Sequence, residues 1–157
     1  MSNRTRILGI DFGTVRIGLA VSDPDRKIAF PLATYERANK DRDAAYFRKI
    51  IEDEQIGQLV IGLPIHLDGR ESPKSVEARQ FGQWLQETTR LPVSFYDERF
   101  TSIEAEATLW SAGLTHKKRK DRRDRVAAQM ILQAYLEAGC PAIELPVARE
   151  TDRNLEK

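Results

Sequence analysis

The stretch from Ile7 to Ser22 constrains this chain most, because two apolar runs there flank one acid and one glycine. Ile7, Leu8 and Ile10 lead into Asp11, and Ile17, Leu19, Ala20 and Val21 follow a turn at Gly13 and Thr14. Short apolar runs separated by turn residues predict two β-strands joined by a hairpin. A carboxylate closing so apolar a strand needs hydrogen bonds or a cation, since burying it uncompensated is expensive. Asp11 is therefore the first candidate site residue, and the remaining elements must supply its partners.

The chain then continues in a recognisable rhythm. After a turn at Ser22-Asp23-Pro24-Asp25, Ile28 to Tyr35 predicts a third strand, with Pro31 suited to a sheet edge. Three strands with short turns imply an antiparallel meander. Ala44, Phe47, Ile50 and Ile51 fall at helical spacing and predict a helix over 41–54. Leu59-Val60-Ile61-Gly62 has the continuous apolar character of a strand buried on both faces. A loop over 63–72 follows, and Ser72 with Pro73 opens a helix that buries Ala78, Phe81, Trp84 and Leu85 before Pro92. Val93 to Asp97 predicts another strand. Thr101 and Glu104 form a capping-box signature for a helix ending at Gly113, and a last helix carries Ala127, Met130, Ile131, Ala134 and Ala138 inward until Gly139. Strand–helix–strand crossovers make parallel neighbours, so the expected architecture is α/β: a five-stranded mixed sheet, three strands antiparallel and two parallel, flanked by helices. One domain over 1–140 is expected, with a C-terminal tail over 141–157.

Several function classes are excluded at this point. A single cysteine, Cys140, allows no internal disulfide and no cysteine metal cluster. No apolar run approaches the ~18 residues that span a bilayer, so no membrane partner is expected and a cytoplasmic location is the simplest reading. No zinc-helix motif, nucleophile elbow or Walker loop occurs. The net charge of +1 points to no partner, but its distribution does. Between His116 and Arg125, Lys117, Lys118, Arg119, Lys120, Arg122, Arg123 and Arg125 stand against only Asp121 and Asp124, which reads as a basic loop fit for a phosphate backbone.

The acids point the same way. Ligand crevices in open α/β sheets lie at the carboxyl ends of the strands, where Asp11 and the pair Asp97-Glu98 stand. Asp124, Ala127, Ala128, Ile131 and Tyr135 share one helical face, so Asp124 heads the stripe that packs on the sheet, and Asp121 can share that face. Converging carboxylates without His or Cys suit Mg²⁺ or Mn²⁺. Two such ions roughly 3.5–4 Å apart activate water and stabilise the leaving oxygen in phosphodiester hydrolysis.

Taken in order, Ile10-Asp11-Phe12-Gly13-Thr14-Val15-Arg16-Ile17-Gly18, Gly62-Leu63-Pro64 with Asp68-Gly69, Asp97-Glu98-Arg99-Phe100-Thr101-Ser102, and Asp124 with Ala127-Ala128 and Ile131-Leu132 resemble the YqgF-type family. That family comprises ribonuclease H-like proteins described as Holliday-junction resolvases and as nucleases maturing the precursor of small-subunit ribosomal RNA. The resemblance spans 7–139. It implies a ribonuclease H-like fold, a hydrolase with Asp11, Glu98 and Asp124 as metal-binding catalytic acids, and it selects Glu98 over Asp97. Arg16, Arg99 and Thr101 match further motif positions, where they position substrate or the loop, and Asp121 with Asp124 has the spacing of the paired acids in RuvC-type resolvases.

The function expected is 5′-end maturation of precursor 16S ribosomal RNA, with nucleic acid and a ribosomal precursor particle as partners of a monomer or homodimer. The alternative is resolution of four-way DNA junctions. Two further readings stay open: a nucleotide-binding protein, because Asp11-Phe12-Gly13-Thr14 also resembles the phosphate loop of actin-like ATPases, and a non-catalytic RNA-binding assembly factor.

Overall fold

The computed structural model describes residues 5–63, 72–97 and 115–141. Strands β1 (Arg6–Asp11), β2 (Arg16–Ser22) and β3 (Ala29–Glu36) are followed by helix α1 (Lys40–Asp53) and strand β4 (Ile56–Leu63). Helix α2 (Pro73–Thr89), strand β5 (Val93–Asp97) and helix α3 (His116–Glu137) complete the described elements. The sheet runs β3-β2-β1-β4-β5, antiparallel across its first three strands and parallel from β1 through β4 to β5. This is the expected mixed sheet, with β1 at its centre.

Local chemistry sets the boundaries. Asn39 caps α1 by accepting from the Arg42 amide at 2.9 Å, and Ser72 caps α2 by accepting from the Ser75 amide at 3.1 Å. α2 ends where Arg90 turns into the left-handed region at φ 60°. Pro31 lies on edge strand β3, beside the register shift at Leu19/Ala20, so its missing N–H disturbs no ladder partner.

Strand alternation divides the interior in two. Leu8, Ile10 and Phe12 of the first strand and its turn face α1 and α2, together with Ile17, Leu19, Leu59, Ile61 and Phe95. Ile7, Ala20, Val60 and Tyr96 face α3, where they meet Ala128, Leu132 and Tyr135. Gly9 lies on that second face, and a Cβ there would stand 2.7 Å from Leu132 Cβ, so the glycine sets how closely α3 approaches β1. Polar pins hold the same helix to the sheet: Gln133 Oε1 accepts from the Ala29 amide at 2.9 Å, and Gln58 Nε2 donates to Tyr135 Oη at 2.7 Å.

One expectation is corrected. The basic segment over 116–125 is not a loop but the first half of α3, a single helix of 22 residues. Thr115 caps it by accepting from the Lys118 amide at 3.3 Å, and no glycine or proline interrupts the helix from there to Gly139. Lysine and arginine are good helix formers, so a run of these charges is compatible with a regular helix. The helix expected over 101–113, the loop over 64–71 and the tail beyond 141 lie outside the described residues. Among the described residues no helix is long and apolar enough to cross a membrane.

Candidate active site

Asp11 closes β1 on the α3 side of the sheet, in the alternation of Ile7 and Gly9. Its antiparallel partner is Gly18 of β2. A Cβ at Gly18 would overlap the Asp124 carbonyl oxygen, so the backbone of α3 rests on the residue paired with Asp11. Two acids distant in sequence are thus brought to one end of the sheet by a position where only glycine fits. On the other side of Gly18, Thr34 of β3 donates its hydroxyl to the Asp121 carbonyl at 2.6 Å and fixes the same helical turn.

Arg16 lies on this face too, two residues before Gly18. Its Nε stands 3.4 Å from Asp124 Oδ2 and its Nη1 3.8 Å from Asp121 Oδ1. Asp124 Oδ2 is shielded from solvent, which strengthens its interaction with the guanidinium. Arg16, expected to position substrate, is therefore first a counter-ion to the helix acids. Asp121, which the spacing left undecided, faces the same cluster. No sequence signal announces such an ion pair between elements; only the alternation of β2, which puts Arg16 and Gly18 on one face, hints at it.

Asp97 is buried at the end of β5, but it falls in the alternation of Val93 and Phe95, facing α1 and α2 rather than Asp11. Glu98, Arg99 and Thr101 lie outside the described residues. Among the described residues no three His, Cys, Asp or Glu side chains stand close enough to hold a metal ion. Of the three acids expected at the site, Asp11 and Asp124 lie among the described residues. Their chemistry fits a hard divalent cation: both offer carboxylate oxygens, one oxygen of Asp124 is withdrawn from water, and Asp124 already holds a positive partner in the Arg16 guanidinium.

Of the basic side chains in α3, Lys118 and Arg123 are exposed, while Arg122 is half-buried. Arg122 lines, with Arg125, a groove of about 480 Å³ between α3 and the edge strand β3. The side chains of Lys117, Arg119 and Lys120 lie outside the described residues.

Residues 5–138 match the model of the RuvX family, which is described as Holliday junction resolvase. The chain belongs to the RuvX family. The match spans every described element through the end of α3, with Asp11 and Asp124 inside it. A relative from Rhodopirellula baltica, provisionally named a pre-16S rRNA nuclease, is 48% identical over 133 residues, 85% of this chain and 77% of its own. Another, from Koribacter versatilis and bearing the same name, is 48% identical over 132 residues, 84% of this chain and 86% of its own. Among solved structures, RuvC from Thermus thermophilus in complex with a Holliday junction substrate superposes with a TM-score of 0.57. It is 16% identical, with 90% of this chain and 99% of that one covered, and the likeness establishes a ribonuclease H-like fold for this RuvX-family chain.

Proposed function

We propose that this chain is a divalent-metal-dependent endonuclease that hydrolyses phosphodiester bonds in the precursor of 16S ribosomal RNA. The observation that supports the reading is the seating of the Asp124 backbone over Gly18, the residue paired with Asp11, at the carboxyl end of the central strand. The names of its close relatives supply the substrate. Asp11 and Asp124 would hold Mg²⁺ or Mn²⁺ together with Glu98, two positions after Tyr96, whose side chain faces α3. The bound ions would supply an activated water and charge stabilisation for the leaving oxygen. Arg16 balances the acids, and Lys118, Arg122 and Arg123 hold the flanking phosphates along α3. A ribosomal precursor particle is the setting in which that substrate is met.

A second reading, resolution of four-way DNA junctions, has the family description in its favour. Backbone contacts serve both nucleic acids, so side-by-side cleavage decides between them. With Mn²⁺, the protein should cut precursor ribosomal RNA, and Asp11→Asn or Asp124→Asn should remove more activity than the roughly 10–100-fold lost with an outer-shell partner. Equal cleavage by either variant would sink the site assignment, and junction cleavage without RNA cleavage would transfer the reading to DNA.

A further inference from the structure

On the opposite face of the sheet, a cavity of about 350 Å³ opens between the β1–β2 turn, α1 and α2. We propose that it seats an unpaired base of the substrate strand, next to the phosphate presented to Asp11; the proposal rests on the nuclease reading above.

Position makes the first argument. Phe12 lines the cavity and directly follows Asp11 in the chain, and consecutive strand residues face opposite sides. Asp11 and Phe12, consecutive residues about 3.8 Å apart at Cα, therefore put acid and cavity on opposite sides of the same sheet edge. A strand whose phosphate lies at the acid can turn its adjoining base into the cavity. Size agrees, since sites for small organic groups begin at about 300 Å³.

The lining makes the second. Phe12 and Phe81 lie 4.9 Å apart between ring centroids, Phe81 and Trp84 5.6 Å, so three rings form one continuous wall. The Arg37 guanidinium covers the rings of Phe12 and Phe81 at 5.4 and 5.3 Å. Aromatic rings and guanidinium planes are the surfaces on which unstacked bases are held. Arg37 is kept in place by Asp43, at 3.6 Å, whose carboxylate also accepts from Tyr35 Oη at 2.6 Å and the Ala38 amide at 3.0 Å. The buried Nε of Arg37, ion-paired with Asp43, has no hydrogen-bond partner among the described residues, which leaves a donor for a ligand.

Charge makes the third. Arg37 and Lys40 at the cavity are balanced by Asp43 and Glu77. A site without net charge suits a neutral ring rather than a phosphate, in contrast to the basic face of α3.

Trp84 is one of two tryptophans, so Trp110→Phe leaves it as sole reporter. In EDTA, a short mixed-sequence single-stranded RNA should quench its fluorescence, and an abasic position walked along that RNA should weaken binding at one register. Stacking predicts a loss of roughly 5- to 150-fold. Trp84→Leu should lose as much, with no further loss on the abasic RNA, while Trp84→Phe should keep most of the affinity. RNA that binds without moving Trp84 fluorescence, or abasic RNA that binds equally well at every register, overturns the base site while leaving cleavage intact. Base-dependent quenching by a protein that cuts neither RNA nor junction in Mn²⁺ keeps the base site and overturns the nuclease reading.

Discussion

Gly18 carries the tightest constraint at the scale of single residues. A methyl group there meets helix backbone, which cannot rotate away as a side chain can. Gly18→Ala should therefore lower stability by about 1–3 kcal/mol, as overpacking does, and calorimetry would register it. It should also depress cleavage at temperatures where the variant is fully folded, because Asp124 moves relative to Asp11. Tyr35 gives a pH prediction. Burial first, and its hydrogen bond to Asp43 second, push its hydroxyl up to about 12, and burial raises Tyr46 as well. A pKa raised on folding stabilises the protein fully below the unfolded value of about 10, and that contribution fades as pH climbs towards 12. Absorbance titration should show Tyr35 and Tyr46 ionising late, with stability falling over the same range, and Tyr35→Phe should flatten that fall. Asp11 and Asp124 were legible in the sequence because periodicity assigns each a strand end or a helix face. The pairing of Arg16 with Asp121 and Asp124 was not, since it joins elements whose relative placement no local pattern encodes.

Helix α3 concentrates the unexpected behaviour at the scale of elements. Its first turn holds no acid and begins a basic run, an arrangement opposed to the helix dipole, which disfavours cations at an N-terminus by about 0.3–1 kcal/mol each. Phosphates along that end would relieve the opposition. Replacing Lys118 and Arg123 with glutamine should therefore flatten the dependence of binding on salt, reducing the slope by about 0.7 per contact on single strands. Fluorescence anisotropy across a salt series would measure it. Thr115→Ala should remove about 1 kcal/mol with the cap. The segment reads as a loop because its apolar stripe begins only at Val126; the positions that carry the helical phase upstream are Asp121 and Asp124, both polar and both paired with Arg16.

The whole molecule is organised by β1, covered by α3 on one face and by α1 and α2 on the other. Leu8 is fully buried within it, and Leu8→Ala should destabilise the protein by about 2–5 kcal/mol, measured by denaturant unfolding. The mixed sheet was readable because three strands with short turns can only form a meander, whereas strands separated by helices return in parallel. The cavity beside Phe12 was not, because Arg37 and Trp84 reach it from different elements and look like ordinary surface and core residues in isolation.

The seating of α3 on Gly9 and Gly18 also orders events in time. During synthesis Asp11 emerges early, whereas α3, which carries Asp124, is the last of the described elements to be made. Until α3 is made, the face of β1 that it covers stays open. The face of the sheet that carries Asp11 is therefore completed only when the last of the described helices docks on Gly9 and Gly18.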